Sequence, residues 1–194
     1  MNRTASVTRA TKETDIRVEL DLDGAGVASA DTGIPFFDHM LQQLGKHAGW
    51  DLQVACKGDL EVDGHHTVED CGIAVGQALD EALGDKAEIR RFASITVPLD
   101  EAAVEVILDL AGRNFVVYDV EVPVETIGGF DTGLLEDFVR AFAQSANLTI
   151  HVHLRYGRSP HHVCEAEFKA LAKALGDACA RTGSGGVPST KGTL

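Results

Sequence analysis

Polar and apolar residues alternate along residues 13–22, Glu-Thr-Asp-Ile-Arg-Val-Glu-Leu-Asp-Leu, and Asp23-Gly24-Ala25-Gly26 follows. A period of two sends successive side chains to opposite faces, so the stretch predicts a half-buried strand and a turn. Gly33-Ile34-Pro35 then breaks the chain. Beyond it, Phe37, Met40, Leu41 and Leu44 recur at spacings of three and four, which predicts an amphipathic helix over Phe36 to Ala48. Asp51 to Lys57 reads as a strand, and Gly58 to Gly64 as a strand or turn. A second helix starts at His65 and runs to about Leu83, with Ile73, Val75, Ala78 and Leu79 available to a core. Gly84-Asp85 ends it.

The second half repeats this order. Val104 to Leu110 is a strand followed by Ala111-Gly112, and it aligns with Ile16 to Leu22. A helix opens at Leu134-Leu135-Glu136-Asp137, matching Phe36-Phe37-Asp38-His39. Leu148 to Val152 is a strand matching Trp50 to Val54, and a last helix runs from His161 to about Arg181. Residues 183–192 form a Gly/Ser-rich loop. Each half reads strand, helix, strand, helix, with extra strands between. The expected class is α+β: one domain of two repeats, about 1–90 and 91–194, with helices on one face of mainly antiparallel sheets.

Composition narrows the function. A chain of 194 residues that is 44% hydrophobic can build a real core. Its net charge of −13 argues against nucleic acid as the main partner, since phosphate binding needs a basic face. No apolar run approaches the roughly 20 residues of a membrane span, and residues 1–14 lack the apolar segment of a secretory signal. Cys56, Cys71, Cys164 and Cys179 lack Cys-x-x-Cys spacing and read as reduced thiols of a cytoplasmic protein, mostly packed in the core.

The chemistry lies in two copies of His-His-x-x-Glu: His65-His66-Thr67-Val68-Glu69 and His161-His162-Val163-Cys164-Glu165, offset by 161 − 65 = 96 residues. On a helix the Glu shares a face with either His, while adjacent His diverge by about 100°. One ion cannot easily take both His of a pair, so the doubled motif suggests two metals. The repeat adds His39, matched with Asp137, and pairs Glu13 with Glu101. The ligand candidates are therefore His39, His65, His66, Glu69, Asp137, His161, His162 and Glu165. With imidazole and carboxylate donors and no thiolate, this set suits Mn, Fe, Co or Zn with open positions rather than closed structural zinc. His47 stays open, and His151 and His153 read as structural. Arg91, Arg113, Lys169 and Lys191 are the positive residues placed to meet an anion, with Ser189-Thr190 adding donors.

These stretches, together with Thr11-Lys12-Glu13-Thr14, Leu22 to Gly26, Phe36 to Leu41, Pro98 to Ala102, Glu165 to Lys169 and Pro188 to Gly192, resemble the imidazoleglycerol-phosphate dehydratases over essentially the whole chain. The resemblance implies a duplicated ferredoxin-like unit related to the second domain of ribosomal protein S5. It implies dehydration of imidazole glycerol phosphate to imidazole acetol phosphate in histidine biosynthesis, with two manganese ions per active site holding the substrate imidazole as imidazolate. It implies a homo-oligomer built from trimers into a large cubic shell, with metal sites completed between subunits. Carried over by position, His39, His65, His66, Glu69, His161, His162 and Glu165 are metal ligands and Glu13 is the catalytic acid/base. Arg91, Arg113, Lys169, Ser189 and Lys191 contact phosphate, and Gln43 contacts substrate. Many members carry a His ligand where this chain has Asp137, whose oxygen can still bind manganese on a shorter arm.

Two other functions use the same residues. A di-metal hydrolase of a small phosphorylated substrate would turn the metals on water. A metal-storing or assembly protein would use them without catalysis, leaving Glu13 and Ser189-Thr190-Lys191 without a role.

Overall fold

The computed structural model describes residues 3–183 and 185–194. Ser184, inside the predicted tail loop, and Met1 and Asn2 lie outside the described residues. The first half contains β1 (Thr4–Ala10), β2 (Thr14–Asp21), β3 (Ala28–Asp31), α1 (Pro35–Ala48), β4 (Asp51–Gly58) and α2 (His65–Leu83). The second contains β5 (Phe92–Leu99), β6 (Ala102–Asp109), β7 (Phe115–Asp119), a short β8–β9 hairpin (Thr126–Ile127, Phe130–Asp131), α3 (Leu134–Ser145), β10 (Thr149–Tyr156) and α4 (Pro160–Cys179). The two main sheets have the same order, β1-β2-β4-β3 and β5-β6-β10-β7. In each, the last pair is parallel and the others antiparallel.

The alternating strands explain the layers. Ile16, Val18 and Leu20 of β2 point inward and are buried, while Arg17 and Glu19 face out. Val104, Val106 and Leu108 of β6 repeat the pattern. Each helix packs on its own sheet and on a helix of the other half, α1 on α4 and α2 on α3. The four helices therefore lie between the two sheets and the halves meet helix to helix. The α+β class expected from the sequence is what the fold shows. No helix among the described residues is long and apolar enough to cross a membrane.

Helix ends follow local chemistry. α1 and α4 both begin with Pro in the first turn, where its missing N–H costs nothing. Gly49 ends α1 in the left-handed conformation (φ 78°). On α2, Gly72 and Gly76 serve close approach instead. A Cβ at Gly76 would stand 2.5 Å from the Phe142 carbonyl oxygen of α3, and one at Gly72 would stand 2.8 Å from that of Phe138. Gly76→Ala should thus destabilise the protein by about 1–3 kcal/mol despite the better helix propensity of Ala. Chemical denaturation checks this, and unchanged stability would mean that α2 and α3 can separate freely.

Several elements escaped the sequence reading. β1 and β5 are edge strands; small residues such as Ala5 weaken the pattern of β1, whereas Ser94 to Leu99 of β5 alternates polar and apolar. Glu13 sits in the turn before β2 rather than in the strand, because Thr11 Oγ1 accepts hydrogen bonds from the backbone N–H groups of Glu13 and Thr14. Gly58 ends β4 and residues 59–64 are turn, and α4 stops at Cys179, with Arg181 bridging to Ile89. Cys71, Cys164 and Cys179 are buried and Cys56 is half-buried, all unpaired. Glu167, between them on α4, is also buried; burial pushes its carboxyl up to about 8, and Tyr118 Oη donates to Oε2 at 3.1 Å.

Candidate active site

The helix pairs bring helix starts of opposite halves together. At the α1–α4 contact, Glu165 Oε1 lies 3.0 Å from His161 Nε2 and 3.4 Å from His39 Nε2. Glu165 Oε2 accepts from Lys169 Nζ at 2.8 Å and from Gln43 Nε2 at 3.2 Å. Burial raises the Glu165 pKa, but Lys169 and His161 outweigh it and leave the carboxyl below its usual value. The Phe36 ring lies 5.1 Å from the His161 ring, and Phe130 of the β8–β9 hairpin backs Phe36.

The α2–α3 contact holds the repeat-related set. His65 Nε2 lies 3.8 Å from Glu69 Oε2, and His65 Nδ1 lies 3.5 Å from Asp137 Oδ2. Repeat-related positions thus carry unlike surroundings. Lys169 and Gln43 beside Glu165 correspond to Ile73 and Ala141 beside Glu69. The two carboxylates flank His65 at different ring nitrogens, so this set converges less well than the first.

The second histidine of each pair turns away, as the helical geometry requires. Ring centroids are 5.9 Å apart in His65–His66 and 6.0 Å in His161–His162, with the rings near perpendicular. His66 Nδ1 lies 3.0 Å from Asp59 Oδ2, and its Nε2 lies 3.9 Å from Glu13 Oε1. His162 Nδ1 lies 2.6 Å from Glu101 Oε2. Asp59 holds the His66 imidazole above its usual pKa, and Glu101 does the same to His162. Glu101 in turn is held down to about 2, first by His162 and then by the backbone N–H of Ser159.

The donor set fits a divalent transition metal by its chemistry, imidazole with carboxylate. Two ligands at right angles about 2.1 Å from one ion lie about 3 Å apart, and the contacts of Glu165 with His161 and His39 approach that edge. Among the described residues, no group of three or more His, Cys, Asp or Glu side chains is arranged to hold a metal ion within one chain.

The basic residues divide. Arg91, Arg113, Ser189 and Lys191 line one cleft of about 810 Å³, between the β6–β7 loop and the C-terminal segment. Arg91 ties that segment down: Nε and Nη2 donate to the Asp109 carboxylate at 2.7 and 3.2 Å, and Nη1 donates to the Pro188 carbonyl at 2.9 Å. Arg113 and Lys191 have no ion-pair partner among the described residues. Lys169 and Gln43 are at Glu165 instead of in the cleft. His47, at the end of α1, is half-buried; burial, then Lys169 and Lys173, lower its pKa. His151 and His153 lie on β10, His153 3.4 Å from Asp119. Asp59 was not anticipated, and nothing in its sequence context marks it. Glu101 could have been weighed as a site residue, since the repeat already paired it with Glu13.

Fold and site together define a duplicated α+β enzyme with two repeat-related imidazole–carboxylate clusters and a separate basic cleft. The family model described as imidazoleglycerol-phosphate dehydratase matches residues 32–175. The imidazoleglycerol-phosphate dehydratase of Frankia casuarinae is 55% identical over the whole of both chains. That of Symbiobacterium thermophilum is 53% identical over 99% of this chain and 93% of its own. Crystal structures of the Pyrococcus furiosus and Staphylococcus aureus enzymes superpose with TM-scores of 0.84 and 0.83, at 36% and 34% identity. They cover 97% and 92% of this chain, and 100% and 99% of their own. The chain belongs to the imidazoleglycerol-phosphate dehydratase family, and its class of activity is that of a hydro-lyase.

Proposed function

We propose that the protein dehydrates imidazole glycerol phosphate to imidazole acetol phosphate and water, a step of histidine biosynthesis, on a site holding two manganese ions. The observation that carries this reading is the meeting of His39, His161 and Glu165 from opposite halves, in a chain that also builds a basic cleft. Relatives named for this dehydration match the chain from end to end. His39, His161 and Glu165 would contribute to one ion and His65, Glu69 and Asp137 to the other, each site completed by donors of another copy. His66 and His162 face away from these sets, which supports ligation to ions shared with other copies and so a homo-oligomer of the trimer-built cubic kind. The unpaired thiols support a cytoplasmic location.

Manganese held there would favour the deprotonated form of the substrate's imidazole, as zinc does for bound water. The protein supplies the rest. Arg113, Lys191 and Ser189 present donors to the phosphate, and Arg91 fixes the segment that carries Ser189 and Lys191. Glu13 stands 3.9 Å from His66 with an exposed carboxylate, placed to take a proton from carbon and return one to the departing hydroxyl. One C–H and one C–O bond break, water leaves, and the enol formed becomes the ketone.

Product analysis tests the reaction. Incubating the manganese-loaded protein with imidazole glycerol phosphate should yield the ketone without inorganic phosphate. Release of inorganic phosphate would establish a hydrolase instead.

A further inference from the structure

The two halves use their matched glutamates differently. Glu13 and Glu101 are 88 residues apart, occupy equivalent turns before β2 and β6, and each faces the second histidine of its half. Glu101 is fully engaged. Its Oε2 lies 2.6 Å from His162 Nδ1, and its Oε1 accepts from the N–H groups of Ser159 (2.8 Å) and Arg158 (3.3 Å). The Glu13 carboxylate accepts no hydrogen bond among the described residues, and its nearest approach to His66 is to the other ring nitrogen, Nε2, at 3.9 Å.

The cause is a difference in loop length. Residues 157–159 join β10 to α4, and they carry no carboxylate. Residues 59–64 join β4 to α2, and they begin with Asp59. Both Asp59 carboxylate oxygens lie near His66 Nδ1, at 3.0 and 3.2 Å, with the Asp59 side chain only 19% exposed. Asp59 therefore stands where Glu101 stands in the other half.

We infer that Asp59 and Glu101 are equivalent positioning residues. Each accepts a hydrogen bond from Nδ1–H of its histidine and aims Nε2 outward, and Asp59, by doing this in the first half, leaves Glu13 free for proton transfer. The inference rests on the two-metal reading above and deepens it. It explains why one of two repeat-related glutamates is available to the reaction while its twin is consumed in holding a ligand. An outer carboxylate of this kind fixes the tautomer and ring orientation of a metal-binding histidine, and removing one weakens the metal by about 10–100-fold.

The test is manganese affinity, read as free Mn²⁺ by electron paramagnetic resonance while metal-stripped, fully assembled protein is titrated. Asp59→Asn and Glu101→Gln should each weaken binding by about 10–100-fold and recover much of their turnover at saturating Mn²⁺. Glu13→Gln should bind within about twofold of the parent and stay about 10²–10⁴-fold slower at any Mn²⁺ concentration. The grouping is the prediction: the pair alike is Asp59 with Glu101, not Glu13 with Glu101. Asp59→Glu and Glu101→Asp, which keep the carboxylate, should restore most of the affinity and serve as folding controls. If Asp59→Asn does not fold, Asp59→Ser takes its place in the same titration. Parental affinity in either amide variant overturns the inference, as does a Glu101→Gln that keeps its metal but loses turnover. A parent protein that takes up no Mn²⁺ overturns the two-metal reading beneath it, a result distinguishable because it needs no variant.

Discussion

Glu13→Gln should fold, assemble and bind manganese like the parent while its kcat falls by about 10²–10⁴-fold, the usual worth of a positioned acid/base. The geometry explains why so small a change costs so much. Glu13 is exposed in a turn, is not part of the core, and makes no ion pair closer than the 3.9 Å approach to His66. An amide there keeps shape and volume but cannot carry a proton. The turn itself survives, because Thr11 Oγ1 and the backbone hold it without the Glu13 side chain. Steady-state kinetics beside metal analysis check the result, and retained turnover would remove Glu13 from the chemistry.

Glu165→Ala should do the opposite: it should strip one metal ion. Among the described residues, Glu165 is the one carboxylate that touches both His39 and His161, and it is only 13% exposed. Removing it deprives the Lys169 ammonium of the carboxylate it meets at 2.8 Å and leaves that charge beside the two imidazoles that, on the proposed reading, take a cation. Loss of the ligand and repulsion by Lys169 act together. Manganese should drop from about two ions per chain to about one, and turnover by more than the roughly 100-fold that an outer carboxylate costs. Elemental analysis of the variant decides this. Two ions retained at parental affinity would mean that Glu165 binds Lys169 and not metal. Glu69→Ala, which has no lysine beside its carboxylate, should lose the other ion less completely at high Mn²⁺.

Much of this was readable from the sequence, for definable reasons. α1, α2, α3 and α4 were visible because each carries a regular apolar stripe, and β2, β4, β6 and β10 because each is a central strand with a clean alternation. β1 and β7 lie at sheet edges with small or short inner faces and gave little signal, whereas β5 puts Ile95, Val97 and Leu99 on its inner face and its alternation was legible. The doubled His-His-x-x-Glu exposed the duplication, and the divergence of adjacent histidines is what the geometry of helices demands. Sequence could not show how the halves meet. Whether His161 sits by His39 or by Asp137 depends on which helices pair across the interface, a tertiary fact. The i,i+4 spacing on α4 does let Lys169 meet Glu165, but sequence could not show that Arg113 and Lys191 share a cleft. Asp59 was invisible because a lone Asp in a turn is ordinary, and only its distance from His66 gives it meaning.

The measurement that bears most directly on the central claim is titration of metal-stripped protein with Mn²⁺ while imidazole acetol phosphate formation is followed. A two-metal dehydratase predicts negligible turnover without metal and activity that rises until about two ions per chain are bound. Full turnover by protein verified to be metal-free, or activity complete well before the second ion binds, would contradict it.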